Sequence, residues 1–158
     1  GGGIVKRVLI SACLVGLNTK YDGGNNYNQV FADMVKRGEA VPFCPEQAGG
    51  LPTPSSPSEI TGGDGQDVVE GKARVITVKG EDVTEAFIKG AKEALKLAKL
   101  IGADTAILKS ISPSCGSKCV YDGTFSGKLR DGMGVCAAYL MANGIKVVDS
   151  QELPRANK

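Results

Sequence analysis

Four short apolar runs decide what this chain can fold into. Residues 5–12, 39–44, 104–109 and 145–148 read as strands; 5–12 runs apolar instead of alternating, as a central strand covered on both faces does, while Pro42 points 39–44 to an edge or a strand end. Segments of helical period separate them. Residues 28–37 put Val30, Phe31, Met34 and Val35 on one face and stop at Gly38. Residues 82–101 carry one stripe of Phe87, Ala91, Ala94, Leu95, Ala98 and Ile101, with Asp82 and Glu85 suited to a capping box and Gly102 as the stop. Residues 133–142 make a third helix that ends at Asn143-Gly144. Strands alternating with helices give parallel neighbours joined by crossovers. The expected fold is α/β: a single-domain three-layer sandwich, a mostly parallel Rossmann-like sheet with helices on both faces. It spans 1–158, with Gly1-Gly2-Gly3 read as a tag remnant.

Three of the runs close on a cysteine. Cys13 ends Val8-Leu9-Ile10-Ser11-Ala12-Cys13, and Cys44 ends Ala40-Val41-Pro42-Phe43-Cys44. Cys115 lies in the small polar loop Ile111-Ser112-Pro113-Ser114-Cys115-Gly116-Ser117, which follows the apolar run Thr105-Ala106-Ile107-Leu108. Open α/β sheets bind their ligands beyond the carboxyl ends of the strands, so the three thiols are expected to meet at one sheet edge. The five cysteines are an odd number and fit a complete disulfide set poorly. The absence of histidine excludes His-ligated zinc and every His-based nucleophile pair. A metal would need thiolates and carboxylates, and a general base must be Asp, Glu, Lys or a thiolate. Glu46 is the only carboxylate within two residues of a candidate ligand. Taken singly, each of these residues also has a structural reading. Cys13 suits a small core position, Glu46 the cap of a turn, and Ser112 the turning of its loop. Cys119 reads as a bystander and Cys136 as core.

The remaining segments read as loops around that edge. Residues 45–65 form a long Pro/Gly/Ser stretch, and loops of that length usually serve a site. Residues 72–79 alternate as a strand, which could pair in a hairpin with 66–70. Residues 118–129 form a second site-lining loop, whose Tyr121-Asp122-Gly123 echoes Tyr21-Asp22-Gly23. That echo is the chain's one internal repetition. The glycine pairs match neither a P-loop nor a dinucleotide fingerprint. Lys109 and Lys128 are candidate contacts for a phosphate or carbonyl. A net charge of +2 does not argue for a nucleic-acid surface, and no apolar run is long enough to span a bilayer. No signal peptide is visible, and the expected compartment is the cytoplasm.

Taken in order, SACLVG, YDG, VPFCPEQAGGLPTP, EITGG, DVTEAFIKGA, GADTAILKSISPSCGS and YDGTFSGKL resemble the thiouracil desulfidase family over about residues 8–148. The resemblance implies a 4Fe-4S cluster on three cysteines, here Cys13, Cys44 and Cys115, with one iron left open for substrate sulfur. It implies a non-redox removal of sulfur from thiolated uracil or its monophosphate, with Glu46 and Ser112 as catalytic residues. The partner is then a small thiolated pyrimidine, with no membrane and no nucleic acid. The chain departs from the family pattern at Thr19, where relatives often carry a second cysteine, and near Ser55-Ser56, where they often carry a basic residue. One rival is a zinc- or sulfur-binding module without catalysis. Three cysteines and no histidine suit zinc less well. Another is a metal-free nucleotide-binding domain.

Overall fold

The four apolar runs do pair into one parallel sheet. The structure, a computed structural model, describes residues 6–153; Gly1-Gly2-Gly3, read above as a tag remnant, lies outside them. In chain order come β1 (Val8–Ser11), α1 (Gln29–Lys36), β2 (Ala40–Phe43), α2 (Pro45–Ala48), β3 (Ser58–Thr61), α3 (Gly65–Val69) and β4 (Arg74–Thr77). They are followed by α4 (Thr84–Leu100), β5 (Thr105–Leu108), β6 (Cys119–Tyr121), β7 (Leu129–Asp131), α5 (Val135–Ala142) and β8 (Lys146–Asp149). The main sheet has the order β2-β1-β5-β8, all parallel. Pro42 sits on its edge strand, where a missing N–H can be tolerated.

Leu9 and Ile10 show why β1 reads as a continuous apolar run. They are consecutive, point to opposite faces and are 1% and 0% exposed. Leu9 packs with Ala106, Leu108 and the inner stripes of α4 and α5. Ile10 and Ile107 pack with Leu14 and Phe31 on the opposite face, beneath α1. The sheet is thus covered by helices on both sides. From β1 the chain crosses to β2 on one side, and β5 then takes the other side, so the order reverses between β1 and β5. The crevice beyond their carboxyl ends is where such sheets take ligands.

Three loop and hairpin expectations change. Residues 45–65 hold α2 and β3 instead of a bare loop. Residues 66–70 belong to a helix, because Asp64 and Asp67 cap α3 reciprocally; β4 pairs with β3 in their place, Ser58 opposite Thr77 and Thr61 opposite Arg74. Residues 118–129 contain β6, which pairs antiparallel with β7. The start of α4 also differs. Asp82 accepts the Thr84 N–H at 2.9 Å, while Thr84 Oγ1 accepts the Val75 N–H at 2.8 Å and ties the helix to β4.

Candidate active site

Three strand ends deliver the cysteines. Cys13 lies in the short 3-10 turn directly after β1, Cys44 caps α2 directly after β2, and Cys115 sits in the loop after β5. All three line one cavity of 620 Å³, and so do Glu46 and Ser112. That volume suits a small organic ligand. Cys119 is in β6 and Cys136 is fully buried in the core beside α4; neither lines the cavity.

The loop that carries Cys115 is held by α5. The carbonyls of Pro113 and Ser114 accept the N–H groups of Val135 and Cys136 at 2.8 Å each, meeting donors that the first turn of a helix leaves unpaired. Glycine is required at both contacts. A Cβ on Gly134 would lie 2.5 Å from the Ser114 carbonyl, and one on Gly116 would lie 2.8 Å from the Cys119 carbonyl oxygen. Ser112 Oγ accepts the N–H groups of Ser114 and Cys115 at 3.1 Å each, which winds the loop around the thiol. Ile111 stands at φ 71°, a left-handed position that a β-branched residue takes only under constraint.

Cys44 and Glu46 are placed by a helix crossing. Gly49 of the α2 cap meets Ala86, and Gly90 of α4 meets the Pro45 carbonyl, so closely that neither glycine has room for a side chain. Pro45 at the first position of α2 fits its geometry, where no N–H is needed. Cys13 is fixed by Asn26, which donates its backbone N–H to the Cys13 carbonyl at 2.8 Å and its side-chain amide to Cys13 Sγ at 3.4 Å.

Burial raises all three thiols. Cys115 is pushed up to about 12, first by burial; a hydrogen bond from Ser11 opposes this, and the charges of Glu46, Cys13 and Cys44 add to it. Cys13 is raised by burial against the Asn26 hydrogen bond and the Lys109 charge. Cys44 is raised by burial against backbone N–H groups of Gln47 and Glu46. Burial likewise lifts the Glu46 carboxyl to about 7. Thiolates are therefore favoured here only with positive charge among them, which a metal centre supplies. The donor set fits an iron–sulfur cluster: three soft sulfurs facing one cavity, with no imidazole. Among the described residues no three His, Cys, Asp or Glu side chains are grouped as ligands of a single ion. A cluster spreads its irons over separate corners and does not need its thiolates to close on one point.

The structure adds Glu59 to the wall, a residue not singled out in the sequence, while Tyr121 and Phe125 come from the 118–129 loop expected to line the site. Glu59 of β3 lines the cavity, as do Tyr21, Tyr121 and Phe125. Glu59 went unnoticed because its strand read as loop; a lone carboxylate between Ser58 and Ile60 carries little signal. Lys109 lines the wall and Lys128 does not. Thr19 also lines it, its carbonyl 3.8 Å from Cys44 Sγ.

A family model described as 2-thiouracil desulfurase matches residues 8–152 of this chain. A protein of Bacillus subtilis (strain 168), described as uncharacterized protein YbbK, is 46% identical over 146 residues, covering 92% of this chain and 97% of that protein. A solved structure described as the [4Fe-4S]-dependent thiouracil desulfidase TudS is similar at a TM-score of 0.83 and 39% identity, covering 94% of this chain and 93% of that one.

Proposed function

The chain belongs to the 2-thiouracil desulfurase family, and on that premise we propose that it is a 4Fe-4S-dependent enzyme converting thiolated uracil to its oxo form and hydrosulfide. The observation that carries this reading is the meeting of Cys13, Cys44 and Cys115 with Glu46 on one cavity wall. In this proposal the three cysteines hold the cluster, and one iron keeps no protein ligand. When bound, the cluster supplies a thiophilic Lewis acid that polarises a thiocarbonyl.

The chain's own residues do the rest. Glu46, half-buried on the wall, takes a proton from the water whose oxygen adds to the thiocarbonyl carbon. Ser112 already accepts two backbone N–H groups, so its own hydroxyl proton is left to donate to the ring. The carbon–sulfur bond then breaks, and sulfur departs as hydrosulfide. One C–S double bond is replaced by one C–O double bond at the same oxidation level, so no electron donor is needed. Three cysteines with no histidine suit a closed four-ligand zinc site less well. All five cysteines are free, in keeping with a reducing compartment, and we assign the enzyme to the cytoplasm.

The test is anaerobic reconstitution followed by the thiocarbonyl absorbance of thiouracil. The expected result is its loss with one uracil and one hydrosulfide formed per substrate. Protein with a full cluster that turns over neither thiouracil nor thiouridine monophosphate would remove this reading.

A further inference from the structure

The chain's one repetition, Tyr21-Asp22-Gly23 and Tyr121-Asp122-Gly123, has no part in the chemistry above. Its two copies are built alike. The Asp Oδ1 accepts the N–H two residues on, Gly24 at 2.9 Å in the first and Thr124 at 3.0 Å in the second. The glycines stand at φ 81° and 92°, a conformation glycine takes without strain. Both tyrosines line the active-site cavity and both stay open to solvent, 45% exposed for Tyr21 and 39% for Tyr121. Two segments far apart in sequence thus each place a partly exposed tyrosine on one cavity wall.

Each turn is also fastened. The Tyr21 carbonyl accepts the Ser55 N–H at 2.7 Å. The second turn is held by Glu59, whose Oε1 accepts the N–H groups of Gly123 at 2.9 Å and Phe125 at 3.1 Å. Glu59 is 9% exposed, and among the described residues no Lys or Arg pairs with it. These two bonds fasten the loop between β6 and β7 to β3, in addition to the β6–β7 pairing itself. Exposed tyrosine faces at a cavity suit a flat, polarisable ring better than an extended or branched ligand.

We propose that the two Tyr-Asp-Gly turns are a pair of jaws that stack on the ring of the thiopyrimidine, with Glu59 as the positioning residue of the second jaw. This rests on the desulfidase reading of the cavity. Tyr21 and Tyr121 set substrate affinity through their ring faces, and their hydroxyls are not needed.

The experiment compares reconstituted wild type with Tyr21→Ala, Tyr121→Ala, the two Tyr→Phe variants, Glu59→Ala and Glu59→Gln. For each, iron and labile sulfide are counted, KM and kcat on thiouracil are measured, and uracil binding is titrated by calorimetry. Both Tyr→Ala variants should raise KM and the uracil Kd about ten-fold, the loss of one stacking face, with kcat and cluster content unchanged. Tyr→Phe should behave as wild type. Glu59→Ala should reproduce Tyr121→Ala, and Glu59→Gln should restore binding, since its amide oxygen still accepts both donors. Unchanged KM and Kd in the Tyr→Ala variants, with wild type active, overturn the jaws and leave the desulfidase standing. If clustered wild type turns over no thiopyrimidine, the desulfidase reading fails, and calorimetry with uracil decides the jaws alone. Binding weakened in both Ala variants then upholds them. Equal binding, or none in any protein, overturns them.

Discussion

At the scale of single residues, the proposed reaction divides the site into groups that would touch substrate and groups that hold those groups still. Glu46 belongs to the first kind. Glu46→Gln keeps its shape on α2 and removes the proton acceptor. The expected outcome is a kcat lower by about 10²- to 10⁴-fold, the range for a lost general base, with iron and sulfide content as in wild type. Turnover equal to wild type would refute the assignment. Ser112 Oγ holds the loop by accepting two of its N–H groups, and in the proposed reaction its hydroxyl also serves the ring. The sequence made the cysteines legible because each follows a strand of the parallel sheet, and Glu46 legible because it stands two residues from one of them. It did not make Glu59 legible, since a buried carboxylate spent on backbone N–H groups far along the chain leaves no local pattern. Tyr21 and Tyr121 were visible only as an echo, without a purpose.

Among the elements, the long helix could be read from its period and the parallel strands from their apolar runs, and the short pieces could not. Residues 66–70, a possible hairpin arm by sequence, fall in α3 and its cap, because the reciprocal capping of Asp64 and Asp67 starts a helix there. Asp64 also accepts the Met133 N–H at 3.0 Å and so joins α3 to the segment entering α5. Burial raises its carboxyl, but the N–H groups of Met133, Asp67 and Gln66, with the Asp67 side chain, outweigh this and hold it below its ordinary value. A depressed carboxyl gives stability that is present above the unfolded value of about 4 and is lost as the pH falls through the folded one. Asparagine caps nearly as well at neutral pH, so Asp64→Asn should be least different from wild type in acid. Denaturation under reducing conditions should show wild type losing more stability than the variant below about pH 4; parallel curves would contradict this. Gly90 carries the other element-scale prediction. Alanine would gain about 1 kcal/mol of helix propensity, but its Cβ meets the Pro45 carbonyl. Overpacking typically costs about 1–3 kcal/mol, so the clash should win. Gly90→Ala should lower stability and cluster content together, because α2 carries Glu46 and is capped by Cys44. Equal stability with a full cluster would show that the crossing does not position the site.

Over the whole molecule, the sheet order explains the site. β1 feeds β2 on one side and β5 takes the other, so the carboxyl ends of all three strands open on one crevice. Helices on both faces close the layers above and below, and no helix among the described residues is long and apolar enough to cross a membrane. This much followed from strands alternating with helices. Which loops would form the walls did not, because the β3–β4 and β6–β7 pairs are short and take their stability from contacts across the fold. The central claim is that thiols distant in sequence hold one cluster together. Its most direct test is the iron and acid-labile sulfide bound per chain after anaerobic reconstitution of wild type and of each single Cys→Ser variant. About four of each are expected in wild type, the content of a 4Fe-4S cluster. Severe loss is expected in Cys13→Ser, Cys44→Ser and Cys115→Ser, and wild-type content in Cys119→Ser. Full zinc occupancy without labile sulfide, or a cluster that survives loss of any of those three thiols and fails without Cys119, would contradict it.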